Sequence, residues 1–191
     1  MKKIKRIISC MLIMCLCFSS LCFATTEAET KAANQLNALE ILKGRDNGDL
    51  ALGSTITRAE IATLVLRITS QEDVQVDNLN TVTQKDITGH WAEENIRKVI
   101  KLGYMKGYDE NTFGPNDNIT YQEVVTLMLR IVGEENNLTG EWPVGQIEKA
   151  KAINLVKGET IFPKERWAEK LTRGTVALVI YDSMTLNTNI Y

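Results

Sequence analysis

Gly103-Tyr104-Met105-Lys106-Gly107-Tyr108-Asp109-Glu110-Asn111-Thr112-Phe113-Gly114-Pro115-Asn116-Asp117-Asn118-Ile119-Thr120 is the stretch from which the fold can be read. A helical pattern runs into it and another runs out. Gly103 and Gly107 break the first helix, because each frees the backbone from the Cβ penalty. Residues 109–118 are rich in turn formers, with Gly114-Pro115 as punctuation. Thr120 opens the next helix. Its hydroxyl can accept from an early amide, and Glu123 can reach back to the Thr120 amide, which makes a capping box. The unit is helix, extended loop, capped helix.

That unit recurs. Gly44 of Lys43-Gly44 precedes Thr57 by 13 residues, Gly107 precedes Thr120 by 13, and Gly158 of Lys157-Gly158 precedes Thr172 by 14. An aliphatic residue stands before each Thr: Ile56, Ile119 and Leu171. A shared offset at both ends of a loop predicts three tandem helix-loop-helix repeats, over residues 31–69, 84–133 and 141–186. Residues 70–83 and 134–140 read as linkers. In the first capped helix Ile61, Leu64, Val65 and Ile68 fall on one helical face, and Val124, Leu127, Met128 and Ile131 repeat that spacing. Val176, Val179 and Ile180 match them in the third. Ile96, Val99 and Ile100, and later Ile147, Ala150 and Ile153, mark the lead helices. Pro143 suits a first helical turn. Two short helices cannot bury their apolar faces alone, so the repeats must bury them against one another. Three capped helices predict an all-α fold with a central three-helix bundle.

Residues 1–24 read as a secretory signal peptide: a basic start, an apolar run from Ile7 to Phe18, and Cys22-Phe23-Ala24 with small residues for cleavage. A membrane anchor is the alternative, at the lower length limit for a span. A lipoprotein site at Cys22 is disfavoured by Leu21. All four cysteines lie in this segment, so the mature chain would have neither disulfides nor thiol chemistry. Cleavage would remove Lys2, Lys3, Lys5 and Arg6 and none of the 24 acidic residues, leaving 18 basic against 24 acidic, a net charge of −6. Such a chain is no general binder of nucleic acid, and after cleavage it would have no membrane segment.

Asp86-Ile87-Thr88-Gly89-His90-Trp91-Ala92, then Gly107-Tyr108, Phe113-Gly114-Pro115 and Ile119-Thr120, closely resemble the S-layer homology motif. So do Ile56-Thr57-Arg58-Ala59-Glu60 and Leu171-Thr172-Arg173-Gly174. The resemblance spans about residues 31–186, and three copies are usual in that family. It implies an all-α, pseudo-threefold module at the cell surface. The module would be held to secondary cell-wall polysaccharide, often pyruvylated, in grooves between repeats. The family's Thr-Arg-Ala-Glu contact element maps to Thr57, Arg58, Ala59 and Glu60, and its Arg also to Arg173.

The chemistry of these residues fits that expectation. An Arg on a first turn sits beside free amides and the positive helix end, a ready carboxylate site. A ketal-linked pyruvate offers such a carboxylate to a bidentate guanidinium. Lys43, Lys106 and Lys157 would add a second cation, or complement a helix dipole instead. Trp91 and Trp142 read as core or inter-repeat packing or, against that, as flat faces for a sugar ring. Asp86 reads as a backbone cap or a ligand contact, and Trp167 as buried or as a rim contact. Tyr121 replaces the Arg in the second repeat, which predicts a lost charge and at most two competent grooves, at Arg58 and Arg173. Thr175 stands where Glu60 and Glu123 stood, which breaks the third capping box. His90 is the only histidine and orients the Trp91 turn; no nucleophile pairs with it. Fragments of calcium loops at residues 46–49 and 109–111 lack the full ligand ladder. The expectation is a wall anchor with no catalysis, metal or cofactor. A secreted scaffold using the same repeats to hold a surface protein partner is the alternative.

Overall fold

Thr57, Thr120 and Thr172 each stand immediately before a helix, as their sequence contexts require. The computed structural model describes residues 25–45, 47–136 and 138–185. The signal-peptide segment, Asp46 of one calcium-loop fragment, Asn137 and residues 186–191 lie outside the described residues. The helices are α1 (Glu27–Ala38), α2 (Arg58–Ile68), α3 (Glu93–Lys101), α4 (Tyr121–Ile131), α5 (Val144–Ala152) and α6 (Arg173–Met184). Short 3-10 turns lie at Leu79–Thr81, Gly158–Thr160 and Lys164–Arg166, and the described residues contain no strand, so the fold is all-α. None of these helices is long and apolar enough to cross a membrane.

Glu60 Oε2 accepts from the Thr57 amide at 2.8 Å, and Glu123 Oε2 from the Thr120 amide at 2.9 Å. Thr172 Oγ1 accepts from the Thr175 amide at 3.1 Å, so this cap works with its Thr alone. A cap of this kind contributes about 1 kcal/mol. Helix α1 starts four residues ahead of the expected repeat boundary at 31, on a capping box formed by Thr26 and Glu29.

The three segments before the capped helices hold one another. The Ile56 amide donates to Leu171 O at 3.3 Å, the Leu171 amide to Ile119 O at 3.0 Å, and the Ile119 amide to Ile56 O at 3.1 Å. These bonds form a closed cycle, and all three side chains are buried. The next amides are used in the same way. Arg58 N and Ala59 N donate to Asp117 O and Pro115 O; Tyr121 N and Gln122 N to Glu169 O and Trp167 O; Arg173 N and Gly174 N to Ser54 O and Leu52 O. The orphan donors of each helix start are therefore satisfied by the loop leading to another capped helix.

Each capped helix is backed by a lead helix: α3, which follows it, packs on α2, α5 likewise on α4, and α1, from the other end of the chain, on α6; α4 also meets α6. The capped helices are buried on more than the single face read from spacing. Ala59, Ala62 and Leu66 of α2 are buried beside Ile61, Leu64 and Val65, while Ile68 is only partly buried. A helix enclosed on several sides needs apolar residues around most of its girth. Each such Leu, Ile or Val stabilises by about 1.5–3 kcal/mol. Residues 70–83 are more than a linker: Val82 is buried, and Arg97 Nη1 donates to Leu79 O and Val82 O.

Gly103 closes α3 with φ +78°, the left-handed conformation that glycine adopts without penalty. Gly107 has a different reason. A Cβ there would lie 2.6 Å from Thr112 O, so the loop backbone can pass only if that atom is absent.

Candidate functional site

Arg58 leaves the first turn of α2 and enters the loop before α4. Its Nε donates to Phe113 O at 2.9 Å, Nη2 to Lys106 O at 2.8 Å and Nη1 to Glu123 Oε1 at 2.8 Å. The guanidinium lies between the rings of Tyr108 and Phe113, with Cζ 4.5 and 4.7 Å from their centroids. Arg173 makes the same pattern toward the loop before α2. Its Nε donates to Leu50 O at 2.8 Å, Nη2 to Lys43 O at 2.9 Å and Nη1 to Glu60 Oε1 at 3.2 Å. Burial pushes the Arg173 pKa down, and the Glu60 carboxylate opposes that. The two residues are 4% and 5% exposed. The free first-turn guanidinium expected from the sequence is thus engaged on all three nitrogens, and the amides beside it are also taken.

Tyr121 holds the third such position. It is 0% exposed, its hydroxyl donates to Thr160 O at 2.7 Å, and its ring stacks on Phe162 at 4.5 Å. Burial pushes its phenol pKa up. Tyr121 is therefore a buried, uncharged plug in the loop before α6, where the other two loops receive Arg58 and Arg173. The altered Thr175 belongs with it. Glu60 and Glu123 each serve a cap amide with one oxygen and an incoming Arg with the other. Tyr121 brings no charge, so position 175 needs no carboxylate.

Two cavities of like construction flank the Arg plugs. The first, about 210 Å³, is lined by Lys43, Arg45, Arg67, Trp91 and Arg173. The second, about 430 Å³, is lined by Lys106, Tyr108, Arg130, Trp142 and Arg58. Trp91 is 67% exposed and Trp142 53%, which corrects their reading as core; Trp142 Nε1 donates to Thr126 Oγ1 at 3.2 Å. Lys43 and Lys106 are exposed, and among the described residues neither ammonium has an ion-pair partner. Arg67 and Arg130 are tied to Glu72 and Glu135 at 3.0 and 2.7 Å.

The remaining candidates fall elsewhere. Asp86 accepts from the Phe113 and Gly114 amides, with contacts of 2.7 to 3.1 Å, so its carboxylate pins the loop that receives Arg58. His90 Nδ1 accepts from the Ala92 amide at 3.2 Å beside Trp91. Trp167 is buried, with Nε1 donating to Phe162 O. Among the described residues, no three His, Asp or Glu side chains gather as a metal site. Lys157 is the odd member of its set: its Nζ lies 4.0 Å from Asp182 Oδ1 and donates to Thr185 Oγ1 at 3.1 Å. Asp182 occupies the helix position held by Arg67 and Arg130.

Burial raises the Asp182 pKa, against the hydrogen bond from Thr160 and the charge of Lys157. A carboxyl raised in the folded state binds more protons there than in the unfolded chain. Stability therefore falls as pH climbs from the ordinary Asp value of about 3.9 through the folded pKa. Asp182→Asn is expected to raise Tm at pH 7, with the gain shrinking as pH falls through the raised folded pKa and gone by about pH 3.9. Thermal melts at several pH values would check it, and a gain independent of pH would refute this account.

Comparison with known proteins follows the same residues. The S-layer homology domain family matches residues 85–125, from the Asp86 segment into α4. The surface layer protein of Brevibacillus choshinensis is 33% identical over 132 residues, 69% of this chain and 12% of that protein. The cellulosome-anchoring protein of Acetivibrio thermocellus is 30% identical over 148 residues, 76% of this chain and 29% of its own length. A cell surface protein of Thermoanaerobacter kivui is 28% identical over 151 residues, 78% of this chain and 19% of that protein. The chain thus spans less than a third of the length of each of these relatives. With the domain match falling on the loop and cap that receive Arg58, the chain belongs to the S-layer homology domain proteins.

Proposed function

We propose that this chain is a non-catalytic anchor at the cell surface that holds cell-wall polysaccharide, in pyruvylated form, in the two cavities beside the Arg plugs. The observation that carries the reading is their shared construction: each is lined by an exposed Trp and by an exposed Lys that has no ion-pair partner among the described residues. A tryptophan face offers an apolar plane to a sugar ring, and the lysine offers a charge to a pyruvyl carboxylate. The names of the relatives, a surface layer protein and a cellulosome-anchoring protein among them, support surface attachment. The closed cycle at Ile56, Ile119 and Leu171 supports three repeats about a pseudo-threefold axis, with α2, α4 and α6 as the central bundle.

In this reading Trp91, Trp142, Lys43 and Lys106 touch the glycan. Arg58, Arg173 and Asp86 are positioning residues that fix the loops bearing Lys106, Lys43 and Tyr108. Lys157, drawn to Asp182, is not a glycan contact. The alternative of a scaffold for a protein partner drew on Tyr121 as a decayed contact, and that residue is a buried plug.

The test is pulldown of the signal-free chain by purified wall polysaccharide, with and without its pyruvate. Wild type is expected to bind the pyruvylated polymer strongly and the stripped polymer weakly. Trp91→Ala/Trp142→Ala is expected to lose binding with Tm little changed. A folded wild type that holds neither polymer would overturn the proposal.

A further inference from the structure

The junction between α6 and α1 lacks a cation that the other two junctions have. Glu60 Oε1 takes Arg173 at 3.2 Å, and Glu123 Oε1 takes Arg58 at 2.8 Å. At the third junction position 175 has no carboxylate and Tyr121 brings no charge. Glu29 reaches in from α1. Its Oε1 accepts from Thr175 Oγ1 at 2.6 Å, and its Oε2 accepts from the Thr26 amide at 2.9 Å. Both donors are neutral, and each carboxylate oxygen can accept a further bond.

The cavity at this junction measures about 360 Å³. Thr25, Thr26 and Glu29 line it from the start of α1, and Glu159 lines it from the turn Gly158–Thr160. Among the described residues, neither Glu29 nor Glu159 has an ion-pair partner. Arg166 also lines the cavity, but its Nε is 2.8 Å from Glu169 Oε2 and its guanidinium lies over the Phe162 ring at 4.3 Å. Glu27 adds a further carboxylate to the first turn of α1. The lining from α6 and from the loop before α2 is uncharged: Thr175, Leu178, Leu52 and Gly53.

Thr25 is exposed and is the first residue after the expected cleavage point at Ala24. Signal peptidase would hydrolyse the peptide bond between them. Water adds across that bond, Ala24 leaves with the new carboxylate, and Thr25 keeps an amine that takes up a proton at neutral pH. We infer that this processing creates the missing cation: the α-ammonium of Thr25 pairs with Glu29 and Glu159 and ties α1 to the third repeat. In the uncleaved chain the same nitrogen is an uncharged amide, so export and closure of this junction are coupled. The pairing is independent of glycan binding.

N-terminal sequencing of the exported protein is expected to begin at Thr25; another start overturns the inference. Thermal melts then compare the chain that starts at Thr25 with the same chain acetylated at its α-amine. Acetylation is expected to lower Tm by about 2–4 °C at pH 7. The sign discriminates, because a positive charge ahead of a helix opposes its dipole, and acetylation without the ion pair would raise Tm. Pairing raises the folded pKa of the amine. Its contribution is therefore full below the ordinary α-amino value of about 7.7–8.0 and lost as pH climbs through the folded value. Glu159→Gln, which leaves the α1 cap intact, should shrink the acetylation loss, and Glu29→Gln/Glu159→Gln should abolish or reverse it. A wild-type Tm unchanged or raised by acetylation, or an equal loss in wild type and Glu159→Gln, would overturn the pairing.

Discussion

Arg58→Ala is expected to destabilise the fold by about 3–5 kcal/mol, as removal of one partner of a buried ion pair does. Arg58 touches no ligand in this account, yet it joins two separate points of one loop, Phe113 O and Lys106 O, to Glu123 in the first turn of α4. Its loss leaves two carbonyls and a carboxylate without their donor and removes the group between the Tyr108 and Phe113 rings. Urea unfolding of Arg58→Ala, Glu123→Gln and the double variant would measure the coupling, expected at about 1–3 kcal/mol. Arg166→Ala serves as the control. Its pair with Glu169 is half exposed on both sides, so its cost should stay below about 1 kcal/mol. Arg58→Ala no more costly than Arg166→Ala would show that the buried contacts contribute little.

Tyr121→Arg is expected to be nearly as damaging, although it restores the residue the family motif prefers. The new guanidinium would arrive in a site built from Phe162, Thr160 O and Thr175, with no capping carboxylate at position 175. An uncompensated charge in such a place costs about 3–5 kcal/mol. Adding Thr175→Glu should return part of the loss, with a coupling of about 1 kcal/mol or more. Recovery stays partial because Glu29 Oε1 already accepts from Thr175 Oγ1 at 2.6 Å, and two carboxylates would then face each other. Equal stability of Tyr121→Arg with and without Thr175→Glu would dissolve the link between the two positions.

The local signals in the chain were readable because local physics sets them. Thr and Glu three residues apart satisfy the first amides of a helix wherever they occur, so the starts of α2 and α4 follow from spacing alone. Thr26 and Glu29 carried the same signal for α1. His90, which accepts from the Ala92 amide two residues on, is likewise a local feature, whereas Asp86 takes amides 27 and 28 residues away. The all-α class and the kinship with S-layer homology domains also came from the order of residues.

What spacing could not supply was the identity of partners far along the chain. Arg58 meets groups 48, 55 and 65 residues away, and Arg173 meets groups 113, 123 and 130 residues away. Read locally, each was a free cation at a positive helix end; the loop that swallows it appears only when three segments close on one another. Trp91 and Trp142 were open to a buried reading because large aromatic rings usually lower their free energy by leaving water. Each stands two residues before its lead helix, Trp91 before α3 and Trp142 before α5, and remains 67% and 53% exposed. The sequence by itself determined the helices, their caps and the family. Tertiary structure alone decided that the first-turn arginines are pins and that the lysines and tryptophans beside them face solvent, because burial depends on which distant backbone fills the space around a side chain.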